Sequence, residues 1–175
     1  YPAATGIGTQ HGGILVDFNA VKGGIEIIPL DNDWQRAAHV YSDEVLISHR
    51  TDAEKGTPKF ERGKSLSDHQ QEMIYISGTA AIRGEESIVT GDVLVQTEIT
   101  LENIQHLIGL EEGREKLPEH SGKLELLRVY LKHEEDAKIV KEDMDKLCPD
   151  VPIVYLYADV CREELLVEIE GIAYL

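Results

Sequence analysis

Met73–Ile108 reads "MIYISGTAAIRGEESIVTGDVLVQTEITLENIQHLI", and its three parts decide the fold class. Met73–Ala80 is apolar, β-branched and aromatic, and it ends at Gly and Thr, which predicts a strand. The Gly- and charge-containing stretch behind it, 82–91, predicts a loop. Asp92 then has the side chain of a helix N-cap. Behind it Val93, Gln96, Thr97, Thr100, Leu101, Ile104, Leu107 and Ile108 recur at i, i+3, i+4 and i+7, which predicts an amphipathic helix of about 17 residues.

The same signals extend outward in both directions. Downstream, 123–133 ("KLELLRVYLKH") predicts a strand. Residues 134–148 predict a second helix with Ala137, Val140, Met144 and Leu147 inward, ended by Pro149 and Pro152. Two strands follow, at 153–160 and 165–175. Upstream, "ILVDFNAV" (14–21) and "IEIIPL" (25–30) around Gly23-Gly24 predict a β-hairpin. Residues 44–50 predict a short strand, 51–72 a polar loop, and the Gly-rich start a linker. Helices placed between strands, with hairpins at the ends, give an α+β sandwich: one mixed β-sheet with two helices packed on one face. Residues 1–72 read as an N-terminal extension, with hairpin and loop, of the same domain whose main body is 73–175. There is no internal repeat.

Charge narrows the function. The chain has 175 residues, with 33 acidic against 17 basic and a net charge of −16. A nucleic-acid partner needs a basic footprint, so none is expected. No apolar run approaches the roughly 18 residues of a membrane span, so no membrane partner is expected. The seven histidines form no zinc pattern, so no metal is expected. Cys148 and Cys161 show no CxxC spacing, and no secretory signal is visible, which points to a reducing cytoplasmic compartment. "TGIG" is too short and too far from a helix for a dinucleotide fingerprint, and no cofactor is expected. A first residue other than Met suits a processed piece or a single domain.

Strand alternation in the last segment puts Val167, Ile169, Gly171 and Ala173 on one face and Glu168, Glu170, Ile172 and Tyr174 on the other. The two glutamates are either ordinary carboxylates on a solvated face or the lining of a cleft. In a cleft, burial would raise the pKa of one of them and make it an acid near neutral pH. Arg162 is either a turn arginine in water or a carboxylate clamp, with Arg62 and Arg128 as further candidates. Arg128 lies in an apolar strand and needs a partner or a cleft. Cys161 is either a small hydrophobe or a pocket residue; no base stands next to it to make it a nucleophile. Tyr75, Tyr130 and Tyr155 are half-buried sheet aromatics or ligand contacts. Ser77, Gly78 and Thr79 close a strand where free backbone N–H groups can meet an anion.

Several stretches together resemble a known family. The strand–loop–helix of 73–108 and the tail "VEIEGIAYL" resemble the RidA/YjgF (endoribonuclease L-PSP-like) family, whose fold is a small α+β, chorismate mutase-like sandwich. "YPAATGIG", "PKFERG", "SGTAAIRGEES", "GDVLVQTEITLENI" and "ADVCREELLVEIEG", in that order, resemble the C-terminal half of the chorismatases. The resemblance implies hydrolysis of the enolpyruvyl ether of chorismate to pyruvate and a cyclohexadiene carboxylate or hydroxybenzoate. It implies Glu168 as the catalytic acid. It places at Cys161 a cysteine found in hydroxybenzoate-forming members, where it shapes product choice. It implies a small carboxylate substrate, for which Arg162, Arg62, Arg128, Cys161, Tyr155, Tyr75 and Thr79 are the candidate binding residues. It also implies a homotrimer, or a pseudo-trimer with a missing N-terminal domain. One departure stands out. RidA-type imine deaminases carry an arginine just after the Pro of the second-last strand, where this chain has "PIVY" (152–155), so the substrate carboxylate loses its bidentate partner there. Standard imine deamination is therefore not expected. The alternatives to turnover are a trimer that binds small carboxylates and a fragment that needs its N-terminal half.

Overall fold

The computed structural model describes residues 1–9, 12–46, 56–68, 70–109 and 123–175. Strand β3 (Glu72–Thr79) and helix α1 (Val93–Ile108) form where the sequence places them. The Asp92 carboxylate accepts from the amides of Leu94 at 2.9 Å and Val95 at 3.4 Å. It thereby satisfies donors that the first helical turn leaves without partners. Val93, Gln96, Thr97, Thr100, Leu101, Ile104 and Ile108 are buried, as their spacing requires, together with Asn103 and His106.

The other strands are β1 (Glu26–Leu30), β2 (Gly63–Ser67), β6 (Lys123–Leu131), β7 (Ile153–Tyr157) and β8 (Val167–Tyr174), with β4 (Ile82–Arg83) and β5 (Glu86–Ser87) forming a small separate hairpin. The main sheet runs β1-β2-β3-β8-β6-β7. Its neighbours are antiparallel except β6 and β7. A parallel pair needs a crossover, and helix α2 (Ala137–Leu147), entered through a 3₁₀ turn at Glu134–Asp136, supplies it. Alternation on β8 sends Val167, Ile169 and Ala173 into one core with Ile74 and Ile76 of β3, Leu127 and Val129 of β6, Leu101 and Ile104 of α1, and Val140 and Met144 of α2. Each of these side chains larger than alanine contributes about 1.5–3 kcal/mol on burial. Both helices are thus held on one sheet face, as the fold class requires. A smaller cluster of Ala80, Ala81, Ile82, Val160 and Leu165 packs under the loops at one end of the sheet.

The N-terminal half departs from the expected pattern. Residues 14–21 form no strand, and Ile14, Leu15, Val16 and Phe18 are exposed. The expected hairpin is absent: β1 pairs instead with β2, Ile28 opposite Ser65, inside the stretch read as a polar loop. "GKSLS" has little strand preference of its own. A place between two partner strands decides its conformation, as context often does in sheets. Glu44–Leu46 is not a strand, and the rest of that expected element, 47–50, lies outside the described residues. The loop expected at 82–91 contains the β4–β5 hairpin. At the end of α2, Leu147 is exposed and Cys148 is buried in its stead.

Gly171 stands in β8 between Ile76 of β3 and Leu127 of β6. A Cβ there would lie 2.6 Å from the Leu126 carbonyl oxygen and 2.7 Å from Leu127 Cδ2. Gly171→Val is therefore expected to cost about 1–3 kcal/mol by overpacking, read as a lower urea midpoint; an unchanged midpoint would contradict this packing.

Candidate functional site

The face of β8 away from the helices carries the two glutamates. Glu168 lies opposite Tyr130 of β6, and Glu170 lies opposite Arg128. On the other side the pairing of β3 with β8 slips register between Ile76 and Thr79, and Gly78 falls in the slip. A Cβ on Gly78 would stand 2.0 Å from Glu168 Oε1 and 2.7 Å from Thr5 Cγ2. The carboxyl group of Glu168 rests on bare backbone, which only glycine permits. Glu168 is 5% exposed, and its Oε2 has no hydrogen-bond partner among the described residues. Burial, and next the charge of Glu170, push its pKa up to about 7, while Arg62 pulls the other way.

The first residues of the chain form a wall of this site. Ala3 bridges Glu61, and Gly8 pairs with Asp159. The Ala4 amide donates to Ser77 Oγ at 3.0 Å, and the Gly78 amide donates to Thr5 Oγ1 at 2.8 Å. The Ser77 amide donates to the Arg62 carbonyl. The strand-end amides that an anion could have used at Ser77 and Gly78 are thus already taken. Thr5 also hydrogen-bonds Glu170.

Arg62 and Arg162 come together around a residue that the sequence did not single out, Tyr41. Their guanidinium carbons lie 5.6 and 5.5 Å from its ring centroid, within cation–π range. Arg62 donates to the Arg36 carbonyl at 2.6 Å and to the Tyr41 hydroxyl, and also lies over the Phe60 ring. Its Nε is buried without a partner. Arg162 donates to the Glu85 carbonyl at 2.8 Å and to Ser87 Oγ at 3.0 Å. All these acceptors are neutral. Among the described residues, neither arginine lies within ion-pair distance of a carboxylate, whereas Arg36, Arg83 and Arg128 each do. Arg62 and Arg162 are both buried, so their charges are held in place by neutral acceptors without an ion pair among the described residues.

Cys161 neighbours both Glu168 and Arg162. Its residue is exposed, yet the thiol is crowded enough that desolvation, then the Glu168 charge, push its pKa up to about 11. A thiol held protonated in this way is no nucleophile at neutral pH. The loop that carries Cys161 and Arg162 is pinned by buried Gln96 of α1, which donates to the Glu164 carbonyl at 3.0 Å and accepts from the Leu166 amide at 2.8 Å.

The remaining candidates lie elsewhere. Arg128 does not join the other two arginines; it pairs with Glu170 at 2.6 Å. Tyr155 lies opposite Val129 on the helix side and packs against the core. Burial, then Asp145, push its pKa up to about 12. Thr79 lies opposite Ile169, also on the helix side, with its hydroxyl donating to the Ser77 carbonyl. Tyr75 lies opposite Ile172, further along the glutamate face. Thr5, Tyr41 and Phe60 come from segments without periodicity; Thr5 and Phe60 lie in stretches that carry the family resemblance, but nothing in the sequence singles out any of the three. Among the described residues, no group of three or more His, Cys, Asp or Glu is placed to hold a metal ion. No helix among them is long and apolar enough to cross a membrane.

Burial makes Glu168 hold its proton more tightly in the folded chain than in the unfolded one. Its contribution to stability is complete below its ordinary pKa of 4.5 and is lost as pH rises through about 7. Between those values the native protein is expected to lose stability relative to Glu168→Gln, by on the order of 3 kcal/mol at most. Urea midpoints of the two proteins at pH 5 and pH 8 measure this, and parallel pH profiles would contradict it.

No family model matches the chain. Along 98% of its length it is 35% identical to a chorismatase of Streptomyces rapamycinicus, of which it covers 50%. It is 33% identical over 98% of its length to a 3-hydroxybenzoate synthase of Streptomyces hygroscopicus, again covering 50%. A crystal structure of a chorismatase superposes on 98% of this chain and 50% of its own, with 28% identity and a TM-score of 0.71. A member of the Rid protein family from Yersinia pestis superposes on 73% of this chain and 96% of its own, with 15% identity and a TM-score of 0.52. The chain thus spans about half the length of the curated relatives it matches. The fold is RidA/YjgF-like, and the chain is similar, over nearly its whole length, to half of a chorismatase.

Proposed function

We propose that this domain hydrolyses the enolpyruvyl ether of chorismate or a close analogue, with Glu168 as the acid. The observation that carries the reading is a carboxyl group 5% exposed, one oxygen without a hydrogen-bond partner among the described residues, near two buried arginines whose hydrogen bonds go to neutral acceptors. An enolpyruvyl ether is inert to nucleophiles until its methylene carbon takes a proton. That step turns the double bond into a methyl group and leaves an oxocarbenium ion on the ether carbon. Water adds there, its extra proton returns to the Glu168 carboxylate, and the hemiketal collapses to pyruvate and the ring alcohol. An acid whose pKa is about 7 is half protonated near neutral pH, which is the condition for efficient general-acid catalysis.

The cations match the substrate. Chorismate is a dianion, and a chain with net charge −16 must gather positive charge locally to hold it. Arg62 and Arg162 supply that charge around the Tyr41 ring, and Arg62 Nε still has a proton to donate. Arg128, committed to Glu170, has no part in this binding. Cys161 borders the acid as an uncharged wall, which suits a residue that shapes the path of the ring product. That the matched relatives are about twice as long favours one second reading, a domain that binds the dianion but needs a further segment for turnover.

Incubation with chorismate is expected to release pyruvate, measured with lactate dehydrogenase. Glu168→Gln should lower kcat by roughly 10²-fold or more, and equal rates in the two proteins would refute the acid assignment. Chorismate-dependent thermal stabilisation without pyruvate would decide for the binding reading. Arg62→Met should raise KM more than it lowers kcat, because the interaction removed is with a substrate carboxylate present throughout the reaction. An unchanged KM would remove Arg62 from the binding site.

A further inference from the structure

Glu170 lies two residues from Glu168 on the same face, and its surroundings are the opposite of Glu168's. Arg128 Nη1 at 2.6 Å and the Tyr130 hydroxyl at 2.7 Å both donate to one oxygen, Glu170 Oε1, and Thr5 hydrogen-bonds the same carboxylate. The register makes this unexpected for Tyr130. It stands directly opposite Glu168, the carboxyl with a vacant oxygen, yet its hydroxyl reaches past to Glu170. The side-chain donors of Arg128, Tyr130 and Thr5 are therefore spent on one member of the carboxyl pair.

We propose that Glu170 is a positioning residue for Glu168: clamped as a carboxylate by Arg128, Tyr130 and Thr5, it keeps the proton on its neighbour. The role rests on the reading of Glu168 as the acid. Two carboxyls on one face of a strand repel when both are ionised, so fixing the charge on one biases the other toward its protonated form. The charged and titratable groups recorded around the pair divide between its two members. From β6, Arg128 and Tyr130 face Glu170. From the segment before β2, Arg62 acts on Glu168 and favours its ionisation, so a fixed negative charge is needed to offset it. From the loop before β8, Cys161 is pushed to stay a neutral thiol. For Glu170 itself burial opposes the charge, but the hydrogen bonds from Thr5, Arg128 and Tyr130 outweigh it and hold its pKa below the usual value.

Carboxyl ¹³C NMR of the full chain labelled with ¹³C-glutamate tests this without any turnover. The Glu168 resonance is identified by its loss in Glu168→Gln. In the native protein Glu170 is expected to titrate well below Glu168. In Glu170→Gln the Glu168 midpoint should fall by about one pH unit, the size of a close like-charge effect. In Arg128→Met, which keeps both carboxyls, the Glu170 midpoint should rise by about one unit as its cation is lost. An unmoved Glu168 midpoint in the first variant, or an unmoved Glu170 midpoint in the second, overturns the proposal, and either variant suffices if the other does not fold. Failure of chorismate hydrolysis would leave these titrations readable, so the two readings fail separately. Where pyruvate is released, the alkaline limb of kcat should move to lower pH in Glu170→Gln with its acid plateau kept. A lowered plateau with an unmoved limb would indicate a merely structural role and would also overturn it.

Discussion

The carboxyl group of Glu168 is taken out of water and left with an oxygen that no described residue satisfies. An ionised carboxylate in such a place costs several kcal/mol, so the group either shifts its pKa or finds a partner. Here the fold withholds the partner. Gly78 clears the floor beneath the carboxyl, the Gly78 amide is given to Thr5, and the Tyr130 hydroxyl is given to Glu170. Each of these groups could have stabilised the Glu168 carboxylate, and each is spent elsewhere. A fold arranged only for stability would gain by spending one of them on Glu168. Reserving an unsatisfied acid is the pattern expected of a site whose partner arrives with the substrate.

The cations follow the same logic with the sign reversed. An acidic chain has carboxylates to spare, and Arg36, Arg83 and Arg128 each hold one. Arg62 and Arg162 are anchored by carbonyls and hydroxyls instead. Those acceptors fix a guanidinium without cancelling its charge. Stacking both on one tyrosine offsets part of their mutual repulsion through the ring's negative face. The result is a small positive region inside a molecule whose long-range field is negative.

What could be read in the sequence follows how local its cause is. Helix α1 and strands β3 and β8 were legible because their periodicity lies within a few residues, and the same alternation correctly placed Glu168 and Glu170 on one face. Strand β2 was not, because "GKSLS" becomes a strand only between β1 and β3, whose residues lie far off in the chain. Register was likewise out of reach. That Arg128 belongs to Glu170 depends on the pairing of β6 with β8, and no pattern within either strand contains it. For Tyr155, "IVYLY" offers almost no polar contrast between its faces, so only the position of α2 decides that it turns toward the core. Thr5 and Tyr41 come from segments with no regular element at all, and only their tertiary contacts give them a place.

The division between strand and loop also bears on how the site can work. Glu168 lies on a strand paired on both sides, by β3 and by β6, and its carboxyl packs against Gly78, which Thr5 also approaches. Proton transfer to carbon tolerates little error in position, and a central strand meets that demand better than a loop. Arg162 and Tyr41 come from connecting segments, where small movements are cheap. Yet the Arg162 loop is tied by Gln96 to the helix that packs on β8. Glu168 is therefore fixed by the sheet itself, and the loop-borne Arg162 is referenced to it through α1, so under the proposed reading the core that makes the fold also sets the distance between acid and carboxylate clamp.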